Sequence, residues 1–332
     1  MARLHGIDLD ASGRQVGSIH LTHSDNRHDN GVIPVPVAVL SGGPGPTALL
    51  VAGTHGDEYE GQVVLHRLLR ETDPAQVAGR IIVLPALNLP AVRDAARVSP
   101  LDGQNLNRSY PGNPRGGPTE QIAHFLTAEL LPRADLAMDL HSGGSSSHYV
   151  PSAFVYEGPD PEGWAAKCRL TEQLGLPWSV AVPERFEPGS FSTAADDAGV
   201  AMISTELGGG GEVTPAIVAA AVHGLRRVLA GAGILEASPD TPSAPRTRWI
   251  GLLADGAVHT PVRGLFEPIA HVADEVKQGD LLGRVHPVEE LDRPCVPVVA
   301  HRDGVVAIVR RPPLVDLGDC LYHLAADHPI GI

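Results

Sequence analysis

The sequence predicts an α/β protein: a mixed sheet flanked by helices, followed by a small all-β domain. Three observations predict it. Up to about residue 235, apolar runs rich in Val, Ile and Leu alternate with runs of helical spacing. At 236–248 the stretch EASPDTPSAPRTR replaces that pattern with proline, serine, threonine and charge, as a linker does. Beyond it, short β-like runs alternate with glycine turns and show little sign of helix.

Taken in order, residues 15–53 read as three strands: VGSIHL, VIPVPVAVL and ALLVAG, separated by Gly, Pro and Asp/Asn turns. From 58 to 71, Val63, Val64, Leu65, Leu68 and Leu69 recur at helical spacing. Gly79 leads into a strand at 80–84. Residues 119–131 read as a helix with Pro118 and Thr119 at its start. Strands at 134–140 and 200–205 run into His141 and Glu206. The stretch 216–235 is broken by His223, Arg226 and Arg227, and reads as an amphipathic helix rather than a membrane span. The expected division is a first domain at 1–238, a linker at 239–247 and a β-sandwich or barrel-like domain at 248–332.

A chain of 332 residues, 43% hydrophobic, is ample for a buried core. Its net charge of −14, without a basic stripe, argues against nucleic acid and anionic membranes as partners. Cys168, Cys295 and Cys320 lie far apart and fit no metal or redox spacing, so a reduced compartment is expected. The segment MARLHGIDLDASG has no apolar core of the secretory type, and the cytoplasm is the expected location.

The chemistry gathers at strand ends, where open α/β sheets bind ligands. His55 and Glu58 sit in GTHGDE, directly after the apolar run 48–52 and before a helix. A short loop there turns both side chains to one side. His141 lies in DLHSGG at the end of another strand. Asp139, two residues back, faces the same way and can orient a ligand histidine. Two histidines and one carboxylate with an open position form a zinc hydrolase site, in which the metal lowers the pKa of bound water to about 7. Glu206, in TELGGGG, then serves as general base and later acid. The glycines after it permit close backbone approach to a ligand; a phosphate loop would need a lysine that is absent. In SPLDGQNLNRSYPG, Asn107 and Arg108 suit a planar carboxylate, and Arg97 lies near enough in sequence to join them. A second H-x-x-E, His286 to Glu289, contains Pro287 and reads as a surface turn. His148 reads as loop surface or pocket rim.

Together these residues resemble the succinylglutamate desuccinylase and aspartoacylase family of the zinc metallocarboxypeptidase superfamily. The motifs are G-x-H-G-x-E at 53–58, N-L-N-R at 105–108, D-L-H-S at 139–142 and T-E-L-G at 205–208. The resemblance implies a zinc carboxypeptidase-like fold. It also implies one Zn2+ per chain held by His55, Glu58 and His141, with Glu206 as base. Asn107 and Arg108 would bind the substrate carboxylate and Arg97 would steady the oxyanion. Asn105 departs from the pattern, since aspartoacylases carry aspartate there. The C-terminal segments VKQGDLL and RDGVV resemble a lipoyl/biotinyl-type domain, but the hairpin between them has no lysine to modify and Lys277 is in the wrong turn. A wall or lid is the role this implies.

The expected activity is hydrolysis of a small N-acyl amino acid. No further pocket arginine is evident beyond Arg185 in the loop 183–190, so a neutral acetyl group is favoured over a succinyl or aspartyl group. A cationic leaving amino acid such as 2,4-diaminobutyrate would suit Glu184, Glu187, Asp196 or Asp197. Two alternatives stay open: a metallocarboxypeptidase acting on small peptides, and a non-catalytic binding protein for acyl amino acids. A homo-oligomer is compatible with the sequence.

Overall fold

The computed structural model describes residues 2–26, 28–158, 160–182 and 188–330. Three antiparallel strands come first: β1 (Arg3–His5), β2 (Gly13–Asp25) and β3 (His28–Ser41). Strands and helices then alternate: β4 (Thr47–Ala52), α1 (Tyr59–Glu71), β5 (Arg80–Leu84), α2 (Leu89–Asp94), α3 (Pro118–Phe125) and β6 (Leu136–His141). After them come β7 (Ser147–Tyr149), β8 (Ser152–Tyr156), α4 (Pro161–Leu174), β9 (Trp178–Val182), α5 (Phe191–Asp197), β10 (Ala201–Glu206) and α6 (Pro215–Gly231). The C-terminal part is all strand: β11 (Arg248–His259), β12 (Gly264–Pro268), β13 (Glu275–Val276), β14 (Leu281–His286), β15 (Val296–Val299), β16 (Gly304–Arg310), β17 (Leu314–Val315) and β18 (Cys320–Asp327).

The sheet is mixed, as the alternation of elements predicts. β5, β4, β6 and β10 run parallel, while β3 joins β5 and β8 joins β10 in antiparallel sense. Side chains of β4 alternate between two cores, as a strand's two-residue period requires. Ala48, Leu50 and Ala52 pack with Leu65 and Leu68 of α1 and Leu225 and Val228 of α6. Leu49 and Val51 pack on the other face with Phe125 of α3 and Phe191 of α5. Burial on both faces explains why these strands read as continuous apolar runs.

One helix departs from its sequence pattern. The expected helix at 119–131 holds α geometry only to Phe125, then widens to a π-helical turn at Leu126–Leu130 and a 3₁₀ turn at Leu131–Arg133. Pro132 has no amide hydrogen to continue the α ladder, so the bonding pattern must change before it.

The sheet does not stop at the 239–247 stretch. β11 pairs in parallel with β9 from Arg248↔Trp178 onward, and β18, β16 and β13 continue the same sheet. β16 also pairs with β7, with Ile308↔Tyr149 and Arg310↔Ser147 in register. β15, β14, β12 and β17 form a second sheet. Among the described residues no helix is long and apolar enough to cross a membrane.

Candidate active site

Strand register brings the chemistry together. β10 lies parallel to β6 with Glu206 directly opposite His141. β4 lies on the other side of β6, with Ala52 opposite Leu140, and the loop after β4 carries His55 and Glu58. Three neighbouring strands therefore end at one level, and each delivers a group to the same place.

His55, Glu58 and His141 are all buried, and their potential ligand atoms lie within 4.8 Å of one another. His55 Nδ1 is 2.6 Å from Glu58 Oε1, and His141 Nδ1 is 2.7 Å from Glu58 Oε2. The outer nitrogens settle which atoms face inward. His55 Nε2 is 3.1 Å from Asn105 Oδ1, an oxygen that also accepts from Asn107 N at 2.9 Å. His141 Nε2 is 2.9 Å from Asp139 Oδ2. Asn105 Oδ1 and Asp139 Oδ2 can each accept from the ring beside it, and with Nε2 protonated each Nδ1 would offer its lone pair to a metal. Two imidazoles with a carboxylate are a donor set suited to a divalent metal.

The surrounding hydrogen bonds keep the trio in place. Thr54 Oγ1 donates to Asp139 at 3.0 Å, and Ser142 N donates to Glu58 Oε2 at 3.2 Å. Burial opposes the charge on Glu58, but the imidazoles of His141 and His55 outweigh it and hold the carboxyl well below its ordinary range. Glu206 is in the opposite situation: burial, then the charge on Glu58, push it up to about 8. A buried carboxyl and a half-buried one beside it are thereby set to different proton affinities, the pattern of an ionised ligand beside a proton-transferring group.

These residues line a cavity of about 150 Å³, together with Arg97, Asn107, Arg108, Tyr149, Phe154, Tyr156 and Ser192. Arg97 Nη1 stands 3.5 Å from Glu58 Oε1 and from His55 Nδ1, on the open side of the trio. Asn107 Oδ1 accepts from Phe191 N at 2.9 Å, which ties the loop bearing Arg108 to the start of α5. A much larger open cleft of about 900 Å³, lined by Pro245, Arg248, Trp249 and Asp327, gathers no such group of ligands.

Several residues lie where their sequence context did not place them. His286 is the last residue of β14, not part of a turn, because Leu282 and Val285 of the same segment are core residues. Its partner is Glu267 at 3.0 Å, across the sheet, rather than Glu289. His148 belongs to β7, and its Nδ1 is 3.3 Å from Gly209 O. The glycine run 208–211 approaches the protein's own backbone rather than leaving room for a ligand: a Cβ on Gly209 would stand 2.4 Å from Ser147 O. Asp196 is taken by Lys167 at 2.6 Å, and neither Asp196 nor Asp197 lines the cavity. Glu184, Arg185 and Glu187 lie outside the described residues. Asn105 and Tyr149 were missed as members of the site. Asn105 was visible only as a departure from a motif, and Tyr149 had no signal because its strand is short and polar.

Residues 44–232 match the succinylglutamate desuccinylase/aspartoacylase catalytic domain. The chain is 36% identical to the N-alpha-acetyl-L-2,4-diaminobutyric acid deacetylase of Halomonas elongata, over 96% of this chain and 93% of that protein. It is similar in structure to the product-bound ectoine utilization protein EutE of Ruegeria pomeroyi, with a TM-score of 0.92, 39% identity and 98% of each chain covered. A succinylglutamate desuccinylase/aspartoacylase from Rhodobacter sphaeroides gives a TM-score of 0.90 at 36% identity, over 98% of this chain and 100% of that one. A catalytic domain matched from its first parallel strand to its last helix, with the motif residues gathered at one cavity, places the chain in the succinylglutamate desuccinylase/aspartoacylase family of hydrolases.

Proposed function

We propose that the chain is a zinc-dependent deacetylase that cleaves the amide of N2-acetyl-L-2,4-diaminobutyrate, in the breakdown of ectoine. The observation that carries the zinc chemistry is the convergence of His55 Nδ1, His141 Nδ1 and the Glu58 carboxylate beside Glu206. Zinc bound by that trio supplies a Lewis acid and lowers the pKa of a coordinated water. Glu206 takes the proton from the attacking water and later passes it to the leaving amine nitrogen. Arg97, on the open side of the trio, faces the carbonyl oxygen as it gains negative charge. Arg108, with Asn107, takes the α-carboxylate. Asp139 and Asn105 keep the ligand rings in the tautomer that presents Nδ1.

The choice of substrate rests on the relatives and on the walls of the cavity. A volume of about 150 Å³ suits a small acyl amino acid better than a peptide. The lining holds Arg97 and Arg108 but no third arginine among the described residues, which favours a neutral acetyl group over a second carboxylate. The C-terminal strands support the cavity from behind rather than serving as a carrier: β16 pairs with β7, which carries Ser147 and Tyr149 of the lining, Lys277 is exposed and ion-paired to Asp303 at 3.1 Å, and 286–296 has no lysine. The test is kcat/KM for N2-acetyl-2,4-diaminobutyrate against N-acetylaspartate, N-succinylglutamate and a dipeptide. We expect the first to be preferred by at least about tenfold, or about 1.4 kcal/mol in the transition state. Preference for either diacid would overturn the substrate while leaving the zinc chemistry in place.

A further inference from the structure

The loop that enters α1 and the helix's first turn bear three buried acids, and each is tied to a different piece of backbone. Asp57 Oδ2 accepts from Ser145 N at 2.9 Å and from Ser145 Oγ at 2.7 Å. Glu58 faces the two imidazoles. Glu60, in the first turn of α1 and 1% exposed, accepts from Gly209 N through Oε1 at 3.0 Å. Glu60 is neither one of the metal-ligating trio nor part of the cavity lining. The Ser142 side chain is its other polar neighbour. Burying a carboxyl this way is costly, and a hydrophobic residue at the same place in α1 would avoid the cost.

Gly209 lies three residues after Glu206, and the strand leaves the site through it. The neighbouring amides are held by backbone oxygens: Leu207 N by His141 O at 2.9 Å, Gly210 N by Ser147 O at 2.9 Å and Gly211 N by Gly144 O at 2.7 Å. Gly209 N is held by a side chain instead. All four glycines from 208 to 211 have positive φ, and they carry no side chains to hold the segment by packing. The Glu60 carboxylate is therefore the side-chain acceptor that holds the Gly209 amide, while the His148 ring meets the carbonyl of the same residue at 3.3 Å.

We propose that Glu60 is a positioning residue: by holding Gly209 N it fixes the end of β10, and with it the Glu206 carboxylate, against the metal ligands. This rests on Glu206 being the general base. Without the anchor, Gly209 N–H loses its acceptor in the interior, the glycine run relaxes, and Glu206 shifts away from the path of the proton. A small misplacement of that kind costs turnover rather than substrate binding.

A double-mutant cycle tests it. Wild type, Glu60→Ala, Glu206→Gln and the double variant are compared for kcat, KM and zinc content, with Glu60→Gln alongside. In Glu60→Ala we expect kcat to fall by about 10–100-fold, KM to stay within about threefold, and zinc to remain bound. Glu60→Gln keeps a carbonyl oxygen for Gly209 N and should recover most of the rate. The double variant should be no slower than Glu206→Gln, because Glu60 acts through Glu206. Where Glu60→Ala does not fold, Glu60→Asp takes its place, since the shorter side chain draws the acceptor back from Gly209. Wild-type kcat in the Glu60 variant, a rate loss matched by lost zinc, no recovery in Glu60→Gln, or losses that multiply in the double variant would each overturn the proposal. If Glu206→Gln itself turns over normally, the base falls and this role falls with it. If Glu206→Gln is slow and the Glu60 variant is not, only Glu60's role is lost.

Discussion

His141, Glu206 and His286 each end a strand, but losing each has a different consequence. His141→Ala should lose metal and activity together, since a ligand and its ring are gone. Glu206→Gln should keep metal and lose about 10²–10⁴ in kcat, the usual weight of general acid–base catalysis. His286→Ala should change neither, because its ring is bound to Glu267 on an exposed sheet face. Zinc analysis beside turnover separates the three; full zinc in His141→Ala would remove it from the ligand set. The same residues make a pH prediction for the metal-free protein. Glu206 is raised from 4.5 to about 8 by burial and by Glu58. A carboxyl raised in the fold adds stability below its unfolded pKa and loses it as pH climbs through its folded value. His141 is also raised, against the pull of burial, by Asp139 and Glu58, and has the same sign. Chelated protein should therefore unfold at lower urea at pH 8.5 than at pH 5.5, and zinc should narrow the gap; equal midpoints without metal would refute it. The gathering of His55, Glu58 and His141 was legible in the sequence because each follows an apolar strand, which fixes where its side chain can go. Asn105 was not, because its contact with His55 spans fifty positions and depends on how the intervening loop folds.

At the scale of elements, the site depends on strands that stop together and loops that cannot spread. The strands were readable from apolar runs buried on both faces. The glycine run was harder: its composition suggested open space, whereas the structure packs it against 143–147. Composition reports what a backbone is free to do, not what lies against it. Gly209→Ala tests this close fit. The residue has φ of +122°, and a Cβ there would meet Ser147 O at 2.4 Å. We expect a loss of about 1–3 kcal/mol in stability, with reduced turnover. Gly103→Ala is the comparison: φ is +66° but nothing lies within 4 Å of the added atom, so only backbone strain is incurred. Equal effects from the two in denaturant titrations would show that packing at 209 is looser than described. The π-helical turn before Pro132 was likewise hidden, since side-chain spacing does not distinguish it from an α-helix over a single turn.

At the scale of the whole molecule, the sequence showed where the chain changes character but not that the sheet runs on past that point. Pairing between β7 and β16 joins Ser147 to Arg310, and strands so far apart leave no local pattern by which to find each other. Yet Ser147 and Tyr149 line the cavity. That ladder has a consequence in time. A chain made from its N-terminus has the proposed metal ligands by His141 and the proposed base by Glu206, but β7, which carries Ser147 and Tyr149 of the cavity wall, gains this partner strand only once β16 has been made. Closing so long a loop is slow compared with forming the nearby parallel strands. The metal centre should thus be competent before the substrate pocket is, with metal uptake early in synthesis and turnover only at its end. Ribosome-bound chains of increasing length would show it, as zinc retention appearing well before deacetylation; simultaneous onset of the two would mean that the wall and the metal centre form as one unit.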